Sequence, residues 1–199
     1  MTSTTLYATS FVSGGVSTPA RALGAPDGLY TTDTGNTNWI ARWNLGTLAA
    51  GQNLSGTQTI RIRFRRDADG GNAPTINSVD LYENGVLVNT WTGIASPAST
   101  AAADRDFTFA DTLVDGDSQL AVEINTTGSG GSPTVRRSVQ LDAITWFAEH
   151  VDPPAPPAGS VVNYWDGAAW QPGIIKRWSG TEWQSPPLKR WSGTEWVAV

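Results

Sequence analysis

Few side chains in this sequence are of a type and spacing that could do chemistry. Asp67 with Asp69, and Asp115 with Asp117, have the look of the carboxylate pairs that glycosidases use as acid and base. Both pairs sit beside glycines, as in Asp67-Ala68-Asp69-Gly70-Gly71, where short acidic side chains ordinarily serve solvated turns. The same Asp67 and Asp69, or Asp27, are loop oxygens that a hard cation such as calcium would want, although the twelve-residue EF-hand pattern is absent. His150 is the single histidine, cysteine is absent, and no serine stands in a G-x-S-x-G elbow. Disulfides and thiolate metal sites are thereby excluded. We expect no enzyme activity and no required cofactor or metal, with Asp67 and Asp69 as the cation candidates.

Two other sets of residues suit binding. In Ile60-Arg61-Ile62-Arg63-Phe64-Arg65 the apolar residues face one way along a strand, and Arg61, Arg63 and Arg65 face the other. That strip either grips an acidic partner or is a solvated sheet face balanced by neighbouring acids. The second set is a beat of tryptophans after a proline-rich stretch: Trp165, Trp178 and Trp191 open three units, and Trp170, Trp183 and Trp196 close them. The units read Tyr164-Trp165-Asp166-Gly167-Ala168-Ala169-Trp170, then Arg-Trp-Ser-Gly-Thr-Glu-Trp twice. A fixed period repeated three times marks an internal repeat.

Asp-Gly or Ser-Gly directly after the first tryptophan signals a tight turn, so each unit is expected to be a small hairpin. A two-residue turn sets the two tryptophans diagonally on one face, and a four-residue loop pairs them directly. Either way the indoles share a face. An isolated two-stranded hairpin is at best marginally stable. The aromatic faces must therefore stack on each other, dock on the rest of the chain, or be covered by another molecule.

The elements that position these residues are strands. Hydrophobic content of 39% with 21 glycines and 12 prolines suits an all-β chain with many turns better than a helical one. Alternation runs from Leu6 to about Phe147, and Asn84-Gly85 is a strong hairpin signal. Further strands are expected at 38–45, 107–109, 120–125 and 138–147, with at most a brief turn over 96–106. Trp39, Trp43, Trp91 and Trp146 are expected to fill the core, the first two being four apart and so on one strand face. The division is a β-sandwich at 1–150, a semi-rigid proline-rich linker at 151–160 and a hairpin-repeat module at 161–199.

A net charge of -5 argues against nucleic-acid binding. In the tail, Lys176, Arg177, Lys189 and Arg190 are offset by Asp152, Asp166, Glu182 and Glu195. No apolar run approaches the ~20 residues of a membrane span, so no membrane insertion is expected. The start, MTSTTLYATSFVSGG, lacks the pattern of a secretory signal. Synthesis in a cytoplasm and exit by another route, such as lysis, is the expectation.

The tail units resemble the short W-[DNS]-G-x-x-W repeats at the C-terminal ends of virion proteins of tailed bacteriophages, notably minor tail proteins of phages that infect actinobacteria. Pro19-Ala20-Arg21-Ala22-Leu23-Gly24-Ala25-Pro26-Asp27-Gly28 with Asn38-Trp39, and Val139-Gln140-Leu141-Asp142-Ala143-Ile144-Thr145-Trp146, are similar to the opening and closing segments of galactose-binding-like jelly rolls. The resemblance implies a jelly-roll sandwich, a structural calcium as an option, and a location in the virion, on the tail rather than the capsid. Its implied partners are other virion proteins and further copies of the chain in a homo-oligomer. The reading is thus a non-enzymatic virion protein anchored or assembled through Trp165, Trp170, Trp178, Trp183, Trp191 and Trp196. The alternatives are a carbohydrate-binding adhesin recognising host surface glycans, and a capsid decoration protein.

Overall fold

Alternation becomes strand wherever one face can be buried. In β6 (Thr57–Arg66), Ile60, Ile62 and Phe64 are at most 1% exposed, whereas Arg61, Arg63 and Arg65 on the opposite face are half-buried. The computed structural model describes residues 2–33, 38–49, 51–68, 70–114, 118–129, 137–152, 163–173, 177–184 and 189–198. They fall into two units, Met1–Val151 and Asp152–Val199.

The first unit contains, besides β6, strands β1 (Thr2–Gly14), β2 (Val16–Ser17), β3 (Thr32–Asp33), β4 (Trp39–Leu45) and β5 (Asn53–Leu54). It continues with β7 (Thr75–Glu83), β8 (Val86–Trp91), β9 (Ala103–Ala110), β10 (Leu120–Thr127) and β11 (Val139–Val151). β1 is the hinge of the fold. Its residues Thr2–Tyr7 pair with β11 and Ala8–Gly14 pair with β4, with register shifts between Ala8 and Ser10 and between Phe11 and Ser13. Such bulges bend a strand and increase its twist, and here they carry β1 from one sheet into the other. One sheet runs β9-β6-β11-β1 with β5 beside the end of β11; the other runs β1-β4-β10-β7-β8. All pairings are antiparallel. This is an all-β jelly-roll sandwich.

The end of β1 approaches β4 closely. Gly14 has φ 139°, and a Cβ built there would lie 2.4 Å from both the Ala41 Cα and the Ile40 carbonyl oxygen. The Asn84-Gly85 turn between β7 and β8 adopts the left-handed backbone its sequence signalled, at φ 48° and 84°.

Both inner faces meet in one core that includes Trp43, Trp146, Phe64, Leu81, Leu120 and Ile144, all at most 1% exposed. Its indoles are also anchored by their nitrogens: Trp39 donates to the Val139 carbonyl, Trp43 to the Pro19 carbonyl and Trp146 to the Gln58 side chain. Trp91 is half-buried at the edge, against Phe107 and Phe109. β9 starts at Ala103, taking in residues for which the sequence indicated only a turn. The reason is tertiary: Asp104 and Asp106 lie across from Arg63 and Arg61 of β6.

Among its described residues the second unit has three antiparallel two-stranded hairpins. They are β12 (Asn163–Trp165) with β13 (Trp170–Pro172), β14 (Arg177–Trp178) with β15 (Trp183–Gln184), and β16 (Lys189–Trp191) with β17 (Trp196–Ala198).

Candidate functional site

Each hairpin has a four-residue loop, which sets Trp165 opposite Trp170, Trp178 opposite Trp183 and Trp191 opposite Trp196. The residue after the first tryptophan selects that loop. Asp166 Oδ1 accepts from the amides of Ala168 and Ala169 at 2.8 and 2.7 Å. Ser179 Oγ accepts from Thr181 and Glu182, and Ser192 Oγ from Thr194 and Glu195, in the same geometry. Each of these residues also donates its own amide to the carbonyl of the fourth loop residue. A side-chain oxygen satisfying two loop amides favours this loop over the two-residue turn. The glycine that follows, at φ 99°, 105° or 103°, supplies the left-handed turn.

The indoles of a unit touch. Ring centroids are 5.8 Å apart for Trp165 and Trp170 and 5.6 Å apart for Trp191 and Trp196, with interplanar angles of 62° and 60°. The first pair is half-buried; Trp191 and Trp196 are 54% and 63% exposed. For Trp178 and Trp183 only the backbone register is described.

Bonds from the Ala169 and Ala168 amides, and then from Gln171 Nε2, hold the Asp166 carboxyl below its ordinary value of 3.8. The folded value is the depressed one, so the stabilisation is complete above 3.8 and is lost as pH falls through the folded value. On acidification, the indole N–H resonances of Trp165 and Trp170 should therefore lose their dispersion. Those of the third hairpin, capped by the non-titrating Ser192, should keep theirs. Simultaneous collapse of both pairs would remove Asp166 as the cause.

A second feature lies on the outer face of the sheet β9-β6-β11-β1. Cross-strand register sets Tyr7, Thr145, Arg61 and Asp106 in one row, with Thr5 opposite Phe147 in the next and Arg63 opposite Asp104 on the other side. With Pro26 these residues, Asp106 excepted, line a groove of about 250 Å³. Thr145 points outward yet is 5% exposed, and forms the floor.

The arginines are held by acids. Arg61 donates to both oxygens of Asp106 at 2.7 Å and lies 5.1 Å over the Phe147 ring. These bonds keep the Asp106 carboxyl below its ordinary range and push the Arg61 guanidinium up. Arg63 donates to Asp104 at 3.0 Å and to Asp142 at 3.2 Å. Arg65 donates to Gln140 and stacks on Tyr30, 3.6 Å from its centroid. The face that the sequence offered as a basic strip is thus an ion-pair ladder. Its acids come from residues 41 and 45 positions further along the chain, a distance at which alternation carries no information.

Asp142 joins the two jelly-roll segments quoted above. A register shift between Leu141 and Ala143 re-aims its side chain. The carboxylate, 1% exposed, accepts from the amides of Asp27 and Gly28 at 3.2 and 3.1 Å and from Arg63. It thereby pins the loop that carries Pro26 to the groove's lip. The sequence contained this residue inside a motif, but not its role.

Two of the cation candidates make local hydrogen bonds. Asp67 accepts from the Ser138 amide, and Asp27 from that of Leu29, each closing a local turn or strand junction. Asp69, Asp115 and Asp117 lie outside the described residues, among which no three acids or histidines cluster around a metal position. His150 is fully buried, 2.8 Å from the Thr4 hydroxyl.

No protein-family model matches the chain, and no curated protein matches it. Solved structures with a similar arrangement include a family 35 carbohydrate-binding module from Clostridium thermocellum, at 13% identity and a TM-score of 0.40 over 73% of this chain and 98% of that one. A CBM35 from Cellvibrio japonicus Abf62 has 16% identity and a TM-score of 0.41, over 73% and 92% respectively. A CBM35 in complex with a glucuronic acid containing disaccharide has 17% identity and a TM-score of 0.39, over 70% and 89%. The jelly-roll assignment rests on the strand pairing of this chain itself.

Proposed function

We propose that this chain is a non-catalytic saccharide-binding protein, a rigid jelly roll carrying tryptophan hairpins that stack on surface glycans. The observation behind this reading is the Trp191–Trp196 pair, whose touching rings keep more than half their surface open. Their combined open area is roughly 200–300 Å², given that a buried tryptophan covers ~150–250 Å². A stable protein interface needs ~800 Å² per partner. One hairpin therefore suits a sugar ring, and three at a fixed period suit a repeating polysaccharide, where weak contacts multiply.

A second reading draws on the repetition itself. Three hairpins of one register, taken together across several copies of the chain, would supply enough apolar surface for assembly on a particle. This is the virion reading, and its tail location and partners rest on the repeat sequence alone.

Retention of the whole protein on bacterial cell-wall polysaccharide separates the two. The double variant Trp191→Ala/Trp196→Ala should weaken retention by at least about tenfold without altering sedimentation. Unchanged retention would remove the saccharide reading, and a variant that instead falls apart into smaller species would favour assembly.

A further inference from the structure

We propose that the groove on the outer face of β9-β6-β11-β1 is a second, separate saccharide site, selective for a neutral sugar. The inference shares with the reading above only the class of ligand; its residues and its test are distinct.

The chemistry of the lining carries it. A sugar ring needs an apolar surface for its C–H faces beside fixed donors and acceptors for its hydroxyls. Tyr7 and Phe147 supply the first, on adjacent strands. Arg61, Arg63 and Asp104 supply the second, with the Thr145 hydroxyl at the floor. Each guanidinium has five N–H donors. Asp106 takes two from Arg61, and Asp104 and Asp142 take one each from Arg63, so both retain donors for hydroxyl oxygens.

Charge selects the ligand. The two lining arginines pair with three carboxylates, Asp104 in the lining and Asp106 and Asp142 outside it, so their positive charge is fully offset. A uronate or a phosphate is therefore disfavoured, while a neutral polyol can bond to donors and acceptors alike. Size agrees: about 250 Å³ is below the ~300–1,000 Å³ of pockets for drug-sized ligands and admits a ring or two rather than a chain. The groove is also preformed, because the ion pairs fix the arginines and Asp142 fixes the lip. Little ordering remains for binding to oppose.

The test is a titration of the full-length chain, followed by NMR, with glucose, galactose, mannose, their disaccharides and glucuronate. At least one neutral sugar should shift the amides of Thr145 and Phe147, and glucuronate should shift them at least about tenfold more weakly. Phe147→Ala should weaken the neutral sugar by about tenfold or more. Thr145→Val, which keeps the side-chain shape should Phe147→Ala fail to fold, should also weaken it several-fold. Trp191→Ala/Trp196→Ala should leave it unchanged. The proposal is overturned if no neutral sugar moves these amides at ~50 mM, if glucuronate binds as well, or if shifts fall only on the tail tryptophans. The last result would leave the hairpin reading standing by itself.

Discussion

Asp142→Ala is expected to destabilise the sandwich by about 3 kcal/mol and to make the loop around Pro26 susceptible to protease. Three donors converge on this carboxylate: the amides of Asp27 and Gly28 and the Nε of Arg63. With 1% of the carboxylate side chain exposed, water does not take its place. The penalty falls short of that for a lone buried charge, because Arg63 is 37% exposed and keeps Asp104. Arg63→Ala makes the contrast, since it leaves Asp142 its two amide partners. It should lower stability too, because it strands a buried carboxylate without its counter-ion, but it should leave the loop protected. Urea unfolding midpoints and limited proteolysis report the two effects, and a midpoint for Asp142→Ala within about 0.5 kcal/mol of the parent would contradict the latch.

Gly14→Ala should cost about 2–4 kcal/mol, for a different reason. The new methyl would occupy the space of the β4 backbone, at 2.4 Å from the Ala41 Cα and the Ile40 oxygen, and no side chain can rotate away to make room. β1 must then separate from β4 at the end of their pairing. Gly93 is the control. It also has a left-handed backbone, φ 68°, but open space where its Cβ would go. Gly93→Ala should cost only about 1 kcal/mol, the backbone penalty alone. Equal losses for the two variants would show that conformation, not close approach, governs Gly14.

Periodicity made the strands legible. The alternation in Thr57–Arg66 reflects one buried face, a local property of the chain, and the Asn84-Gly85 turn depends on backbone preferences of two residues. The thirteen-residue beat of tryptophans is equally local, and so was the prediction that each pair shares a face. Loop length is local as well, but the pattern left two choices open: the four-residue loop follows from the hydrogen bonds that Asp166, Ser179 and Ser192 accept from amides two and three positions on. Residues such as Thr5 and Phe147 gave no sign of a site, for they belong to no motif and become neighbours only when β1 pairs with β11.

What the sequence by itself determined, then, is the set of faces: which residues look inward, where the chain turns, and that the tail presents indoles in pairs. Only the tertiary structure decided which faces meet. Whether Arg61 and Arg63 would grip an acidic partner or be balanced by neighbouring acids stayed open until β9 placed Asp106 and Asp104 beside them, and Asp142 acquired its two amide partners from a loop more than a hundred positions earlier. Burial preference is written residue by residue, because it depends on each side chain's own affinity for water. Charge pairing and groove shape depend on register between distant strands, which no single stretch of sequence contains.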